Sequence, residues 1–177
     1  MKTLVAYASS EGQTRKIARH VADRISELGH SAELISTDES EGMNLDRFDR
    51  IILAASIHVG HYQGRFADFV AEQRDIIRNR PSLFLSVSLA AAGHDAEDWR
   101  ALDKILKDFE EATGWTPDLT EQIAGAYLPS KYDIFRRFVM RRIVAKKDPD
   151  ADLDADIEYT DWEALDALID GWISDGA

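Results

Sequence analysis

Five short apolar runs that alternate with helical patterns constrain the fold of this 177-residue chain more than any other feature. The sequence predicts strands at Thr3–Ala8, Ser31–Ser36, Arg50–Ile57, Ser82–Ser88 and Gln122–Leu128. Apolar residues spaced three or four apart predict helices at Thr14–Leu28, Arg65–Arg78, Ala96–Thr113 and Asp161–Ser174. This alternation favours a single domain, residues 1–177, with a parallel sheet covered on both faces, which is the doubly wound α/β class.

Three loops of the predicted sheet are candidates for chemistry. The runs IILAAS and LFLSVS are apolar or small throughout, which is typical of central strands buried on both faces. In doubly wound sheets, ligands bind beyond the carboxyl ends of the strands. We therefore expect the site in the loops after the first, third and fourth strands, whose sequences are SSEGQT, SIHVGHYQG and SLAAAGHDAE.

The loop SSEGQT, residues 9–14, has the composition of a phosphate cradle. Small residues let the backbone curl around an anion, hydroxyls donate to its oxygens, and the N–H groups that open the next helix point to the same place. Such a cradle needs no lysine, and the chain lacks both GxxxxGK[ST] and GxGxxG in this loop. An ordinary strand-to-helix turn capped by Ser or Thr would have the same composition.

The segment YASSEGQT resembles the phosphate loop of the flavodoxins. Together, SSEGQT and ASIHVGHYQGRF resemble the menaquinone-dependent protoporphyrinogen IX oxidases, which are flavodoxin-like enzymes, and YDIFRRFVMRRIVAKK and EYTDWE extend this likeness over nearly the whole chain. The resemblance implies a flavodoxin-like five-stranded parallel sheet of order 2-1-3-4-5. It also implies an insert at about residues 129–159, before the last helix, and an FMN cofactor.

The same resemblance assigns roles to individual residues. The phosphate would be held by Ser9, Ser10, Gly12, Gln13 and Thr14, with Glu11 pointing to solvent and contributing only its N–H group. The flavin ring would lie between two loops, one formed by Ser56, Ile57, His58, Val59, Gly60, His61 and Tyr62, the other by Ser88, Leu89, Ala90, Ala91, Ala92 and Gly93.

His61 and Tyr62 are the candidates for a catalytic or stacking role, because the third loop carries no aromatic residue. The alternative for His58 and His61 is that they are two surface histidines. No third ligand accompanies their zinc-like spacing, so no metal site is expected. An acidic residue would be needed at the end of the third strand for a response-regulator receiver, and Ala55 and Ser56 occupy that position.

The segment Lys131–Lys147 within the insert carries seven bases and one acid, a local charge of +6 in a chain of net charge −12. On a helical wheel five of its apolar residues share an arc of about 180°, and Met140 and Val144 fall on the polar side, so the predicted helix is imperfectly amphipathic. Two interpretations stay open: the helix packs its phenylalanines on the domain and pairs its bases with the following acidic stretch, or it contacts an anionic membrane or the propionates of a porphyrin-type substrate. The residues expected to make such contacts are Tyr132, Phe135, Arg136, Arg137, Phe138, Arg141 and Arg142.

Composition limits the remaining functions. The net charge disfavours nucleic-acid binding, and the chain contains no cysteine. No apolar run approaches the roughly 20 residues that span a bilayer, and no leader is evident. We therefore expect a cytoplasmic protein, with the insert as its contact to the cytoplasmic face of the membrane.

The resemblance implies FMN-dependent oxidation of protoporphyrinogen IX to protoporphyrin IX, with a menaquinone-type quinone as acceptor. Three alternatives remain: a flavodoxin-type electron carrier, an NAD(P)H:quinone reductase and an interaction module without flavin.

Overall fold

The computed structural model describes residues 1–175. Its centre is a parallel five-stranded sheet of order β2-β1-β3-β4-β5, which confirms the predicted architecture. The strands are β1 (Lys2–Ala8), β2 (Ser31–Ser36), β3 (Arg50–Ser56), β4 (Ser82–Ser88) and β5 (Leu119–Ala124). The helices are α1 (Gln13–Glu27), α2 (Gly64–Ile77), α3 (Ala96–Thr113), α4 (Ile134–Lys147) and α5 (Trp162–Ser174). Two short strands, β6 (Ala126–Tyr127) and β7 (Ile157–Glu158), pair antiparallel outside the main sheet.

The helices cover the sheet in two layers, each of which closes its own apolar core. Helices α1 and α5 pack on one face through Ile17, Ile25 and Ile169. On the other face, α2 and α3 contribute Phe66 and Phe109, which stack with ring centroids 5.5 Å apart. Strand β4 is buried along its whole length, as its apolar sequence predicts. The layers leave the loops at the carboxyl edge of the sheet free to form a site.

The fifth strand ends earlier than the sequence predicts. The predicted strand Gln122–Leu128 is wrong at both ends, because β5 already begins at Leu119 and stops at Ala124. Gly125 then turns the chain away from the sheet. Gly125 donates its N–H to the carbonyl of Ser88 at 2.9 Å, and its own carbonyl accepts from Tyr159 at 2.9 Å. A side chain at Gly125 would crowd Val87, since its Cβ would lie 3.2 Å from Cγ1. This turn brings Gly125 and Ala126 to the edge where ligands bind.

Helix α4 of the insert lies on the domain with its aromatic residues exposed. Phe135 and Phe138 are 77% and 56% exposed, whereas Val144 is the buried residue of the helix. The interpretation in which these phenylalanines pack on the domain is therefore wrong. The same interpretation also expected the bases of the helix to pair with the acidic stretch that follows it. This expectation is confirmed in part, because Arg141 contacts Asp154 at 2.5 Å. Within residues 1–175, no helix combines the length and hydropathy needed to cross a bilayer.

Candidate functional site

A cavity of about 510 Å³ lies at the carboxyl edge of the sheet. Its floor and walls come from the loops after β1, β3, β4 and β5, and the first half of α4 closes one side. Its volume falls within the range of sites for small molecules and cofactors. The cavity therefore lies where a doubly wound sheet binds its ligand.

The loop after β1 forms the polar end of the cavity. Gly12 is the N-cap of α1 and has a φ of 102°, a left-handed conformation that disfavours any residue with a Cβ. Its N–H donates to Ser9 Oγ at 3.0 Å, and no side chain caps the helix. The N–H groups of the first turn, beginning at Gln13, are therefore available to an anion, with the positive end of the helix dipole behind them. Ser9, Ser10, Gln13 and Thr14 line this end of the cavity.

Glu11 does not point to solvent, so that expectation is wrong. Its side chain is only 14% exposed, and Arg136 Nη2 of α4 contacts its Oε1. Burial raises the pKa of the Glu11 carboxyl, while the positive charges of Arg136 and Lys131 oppose that rise. The insert thus supplies a countercharge that the loop sequence alone does not reveal.

The loop after β3 forms a second wall through Ser56, Ile57, His58 and Val59. His58 Nε2 lies 2.9 Å from Ser56 Oγ, and its Nδ1 lies 2.9 Å from Arg136 Nη2. Burial lowers the pKa of His58, and the nearby charge of Arg136 lowers it further. His58 is therefore a neutral hydrogen-bonding residue of the wall rather than a solvated surface histidine.

Tyr62 faces the core and not the cavity, which corrects its assignment as a stacking candidate. It is 5% exposed, its ring packs edge-on against Phe84 and Phe109, and its hydroxyl lies 2.8 Å from Ser86 Oγ. Burial raises the pKa of Tyr62 to about 12. His61 is exposed and pairs through its backbone with His58, and Gly60 turns the chain between them. Neither His61 nor Gly60 lies on the cavity wall.

The loop after β4 contributes less of the wall than the sequence predicts. Ser88 and Leu89 line the cavity, but the next residues form a 3₁₀ turn directed away from it. Four residues of the predicted flavin loop do not line the cavity: Ala90, Ala91, Ala92 and Gly93. The third loop therefore contacts a ligand only at its start.

The insert forms the remaining wall with Tyr132, Phe135 and Arg136. The guanidinium of Arg136 lies over the Tyr132 ring, 5.1 Å from its centroid. The other four predicted contact residues of the insert, Arg137, Phe138, Arg141 and Arg142, lie outside the cavity.

Sequence reasoning missed five residues of the wall: Val87, Gly125, Ala126, Val139 and Met140. Gly125 carried a usable signal, because a glycine inside an apolar run often marks a bend. Val139 and Met140 follow Phe135 and Arg136, respectively, by four residues and could have been found once the side of α4 that faces the sheet was known.

The cavity combines an anion-binding end with apolar walls. Its polar end has uncapped N–H groups and hydroxyls. Ile57 and Leu89 of the loops and Met140 of α4 are apolar residues of its walls. Such a site can hold a phosphate and a flat ring system at once. The roles predicted for individual residues remain predictions.

Comparison with known proteins agrees with this geometry. A family described as the flavodoxin domain matches residues 4–154. Protoporphyrinogen IX dehydrogenase [quinone] of Escherichia coli (strain K12) is 32% identical over 165 residues, covering 93% of this chain and 91% of the relative. The protein of the same name from Leishmania major is 27% identical over 168 residues, covering 93% of this chain and 71% of the relative.

Solved flavodoxins share the fold. Oxidised Flavodoxin 1 from Bacillus cereus superposes with a TM-score of 0.58 at 18% identity, over 98% of both chains. A short-chain flavodoxin associated with a non-canonical PDU bacterial microcompartment gives 0.62 at 12% identity, over 100% of this chain and 99% of the other. A flavodoxin domain implies a flavin cofactor. The chain therefore belongs to the flavodoxin domain family, in which the quinone-dependent protoporphyrinogen IX dehydrogenases are its relatives.

Proposed function

We propose that this protein oxidises protoporphyrinogen IX to protoporphyrin IX in repeated two-electron steps, with FMN as its cofactor and a menaquinone-type quinone as electron acceptor. The names of the relatives at 27–32% identity support the substrate and the acceptor. The observation that carries the proposal is the wall formed by the insert. In that wall the exposed aromatic side chain of Phe135 lies next to the guanidinium of Arg136, and the other bases of α4 lie outside the cavity on the same helix.

The residues at the polar end of the cavity fit FMN. The phosphate would accept hydrogen bonds from the N–H groups that open α1 and from the hydroxyls of Ser10 and Thr14, since no side chain caps this helix. The ring would lie between Ile57 and Leu89, beside α4. When bound, FMN supplies reversible two-electron redox chemistry, while the protein binds, orients and tunes it.

The mouth of the cavity fits a porphyrinogen. This substrate is a large apolar macrocycle with two propionate carboxylates, so it requires apolar contact and positive charge together. Phe135 and Val139 offer apolar surface at the rim. The bases of Lys131–Lys147 attract carboxylates in a chain that is otherwise strongly acidic. A small soluble redox partner would not require this combination.

The outer face of α4 fits the surface of an anionic membrane, where a quinone acceptor resides. Five exposed apolar residues form this α4 face: Ile134, Phe135, Phe138, Val139 and Ile143. Arg137, Arg141 and Arg142 lie beside it on the same helix and are exposed. Each base near an anionic leaflet contributes about 1 kcal/mol, and the aromatic residues add burial in the interface. We propose peripheral contact with the cytoplasmic face of the membrane through this surface.

Anaerobic reduction of the flavin tests the enzymatic proposal. The purified protein is reconstituted with FMN and mixed with protoporphyrinogen IX in the absence of oxygen. We expect the visible absorbance of oxidised flavin to bleach, porphyrin fluorescence to appear, and a menaquinone analogue to restore the flavin absorbance. NADPH in place of the substrate is the comparison that separates a quinone reductase from a porphyrinogen oxidase.

The main alternative is a flavodoxin-type electron carrier, which the match to flavodoxins over the full length of both chains favours. A bound flavin that protoporphyrinogen does not reduce, but that a reduced partner protein does, would replace our proposal with this one. A chain that binds no flavin at all would contradict both.

A further inference from the structure

One guanidinium group connects the two loops that flank the cavity. Arg136, from the insert, contacts the Glu11 carboxylate of the first loop and lies 2.9 Å from His58 Nδ1 of the second. It also lies over the ring of Tyr132. The Arg136 side chain is 38% exposed and Glu11 is 14% exposed, so solvent screens the charge of Arg136 in part while the contacts fix its direction.

The contact with Arg136 determines the tautomer of His58. A guanidinium has only donors, so the His58 nitrogen that faces it must be an acceptor. Neutral imidazole with an acceptor at Nδ1 carries its proton on Nε2. His58 Nε2 therefore donates to Ser56 Oγ, 2.9 Å away. The charged groups around the ring are Arg136 and, behind it, Glu11; Tyr132 and His61 are the other titratable neighbours.

Ser56 then receives hydrogen bonds from two sides. His58 Nε2 donates to its oxygen, and so does Gln63 Nε2 at 3.0 Å, with the Gln63 amide assigned so that its nitrogen faces Ser56. A hydroxyl oxygen has two lone pairs and one hydrogen, so both lone pairs are used and the hydrogen remains. Within residues 1–175, no side-chain or backbone acceptor takes that hydrogen, and Ser56 lies on the cavity wall.

We propose that Arg136 is a positioning residue of the cavity: through His58 it keeps one lone pair of Ser56 occupied, and because Gln63 occupies the other, Ser56 presents its hydroxyl hydrogen to an acceptor atom on the bound ligand. The ligand class is a flat heteroaromatic ring with carbonyl or imine acceptors, and this part rests on the proposed flavin function. The insert thereby sets the hydrogen bonding of a loop to which it is not joined in sequence.

Nitrogen NMR of the ligand-free protein tests the first step without any cofactor. We expect His58 to be the Nε2–H tautomer and to titrate below an ordinary histidine. Because R136M alone would leave Glu11 buried and unpaired, the comparison is between E11Q and E11Q/R136M. The double variant should titrate His58 at higher pH and populate both tautomers, whereas R136K should retain the Nε2–H form. R78M, which removes a charge at the residue that follows α2, should leave His58 unchanged.

Riboflavin affinity tests the second step, because riboflavin carries the ring but no phosphate. We expect S56A to weaken riboflavin binding about threefold to tenfold, as for one lost hydrogen bond. Relative to E11Q, the E11Q/R136M variant should weaken riboflavin binding by a similar factor. When Ser56 is already replaced by Ala, the same comparison should change riboflavin affinity less than twofold. Equal effects in both backgrounds, or an unchanged His58 tautomer in E11Q/R136M, would overturn the proposal. Failure of the unmodified protein to bind any flavin would count against the proposed function, while the tautomer measurement would still decide the role of Arg136.

Discussion

Lys131 Nζ lies 2.8 Å from the carbonyl oxygen of Glu11, although 120 residues separate them in the sequence. The same ammonium group would lie 3.3 Å from a Cβ added to Gly12. The insert therefore reaches the phosphate loop twice, through Lys131 at the backbone and through Arg136 at the Glu11 carboxylate. A loop whose composition requires no lysine is nevertheless accompanied by one from a distant segment.

Replacing Lys131 by Gln should weaken FMN more than riboflavin. The ammonium favours a phosphate at the start of α1 and has no comparable effect on a ring without phosphate. We expect FMN affinity to fall about threefold to tenfold at low salt, and the loss to shrink as ionic strength rises. Titration of both flavins by fluorescence quenching measures this, with K107Q on the exposed side of α3 as the control. Equal losses for FMN and riboflavin would refute a role at the phosphate.

Replacing Gly12 by Ala should reduce both stability and FMN affinity. At a φ of 102°, any Cβ is strained, and we expect a loss of about 1–2 kcal/mol in the free energy of unfolding. FMN affinity should fall as well, because the loop must relax at the position that holds the phosphate. Urea denaturation and flavin titration measure the two effects.

The matched control for this substitution is G42A. Gly42 has a φ of 73°, no atom lies within 4 Å of an added Cβ, and the residue does not line the cavity. It should lose stability without losing FMN affinity. If G12A binds FMN as tightly as G42A does, the first loop is not the phosphate site.

Tyr62 should make the protein less stable at alkaline pH. Its pKa is raised from 10 to about 12 in the folded state, mainly by burial. The stabilisation is therefore complete below pH 10 and is lost as pH rises through about 12, because the unfolded chain releases the proton first. The loss should reach about 2 kcal/mol at pH 11.5, measured by urea denaturation between pH 8 and that pH. Y62F should show a smaller decrease over this range, and an identical decrease in both proteins would contradict the assignment.

Replacing Phe135 and Phe138 by Ser should weaken membrane binding without destabilising the fold. Both rings are largely exposed, so their removal leaves no core cavity, and the free energy of unfolding should change by less than about 1 kcal/mol. Flotation with vesicles containing phosphatidylglycerol should fall several-fold relative to the unmodified chain. L28S, which removes an exposed apolar residue at the end of α1, is the control. Undiminished flotation of F135S/F138S would argue against the α4 face as the docking surface.

The doubly wound class and the three loops at one edge followed from local patterns, whereas the strand order followed from the resemblance to the flavodoxins. Runs such as Ser82–Ser88 consist of apolar and small residues, which indicates buried strands. In a parallel sheet the carboxyl ends of all strands lie at the same edge, so the loops that follow them lie together. The boundaries of β5 were less predictable, because Gly125 interrupts an apolar run that continues to Leu128. A sequence pattern indicates which residues are buried and at what spacing apolar residues recur. A bend within an apolar run changes neither property, so the pattern does not show where the strand ends.

The orientation of single side chains was the least predictable property. Tyr62 belongs to a motif with His61, yet the strand-to-helix connection directs it into the core, where Ser86 satisfies its hydroxyl. Glu11 was expected in solvent because a phosphate repels it, but Arg136 compensates its charge. Both outcomes depend on partners far away in the sequence, which a local pattern does not contain.

Val144 is the single residue of α4 that is buried, and the helix is otherwise held by ion pairs such as those of Arg136, Arg141 and Lys147. The two apolar cores of the sheet contain no residue of this helix. Helix α4 therefore adds no side chain to the two apolar cores that hold the other helices on the sheet. A substitution in α4 can thus reshape one wall of the cavity without disturbing the interior of the domain.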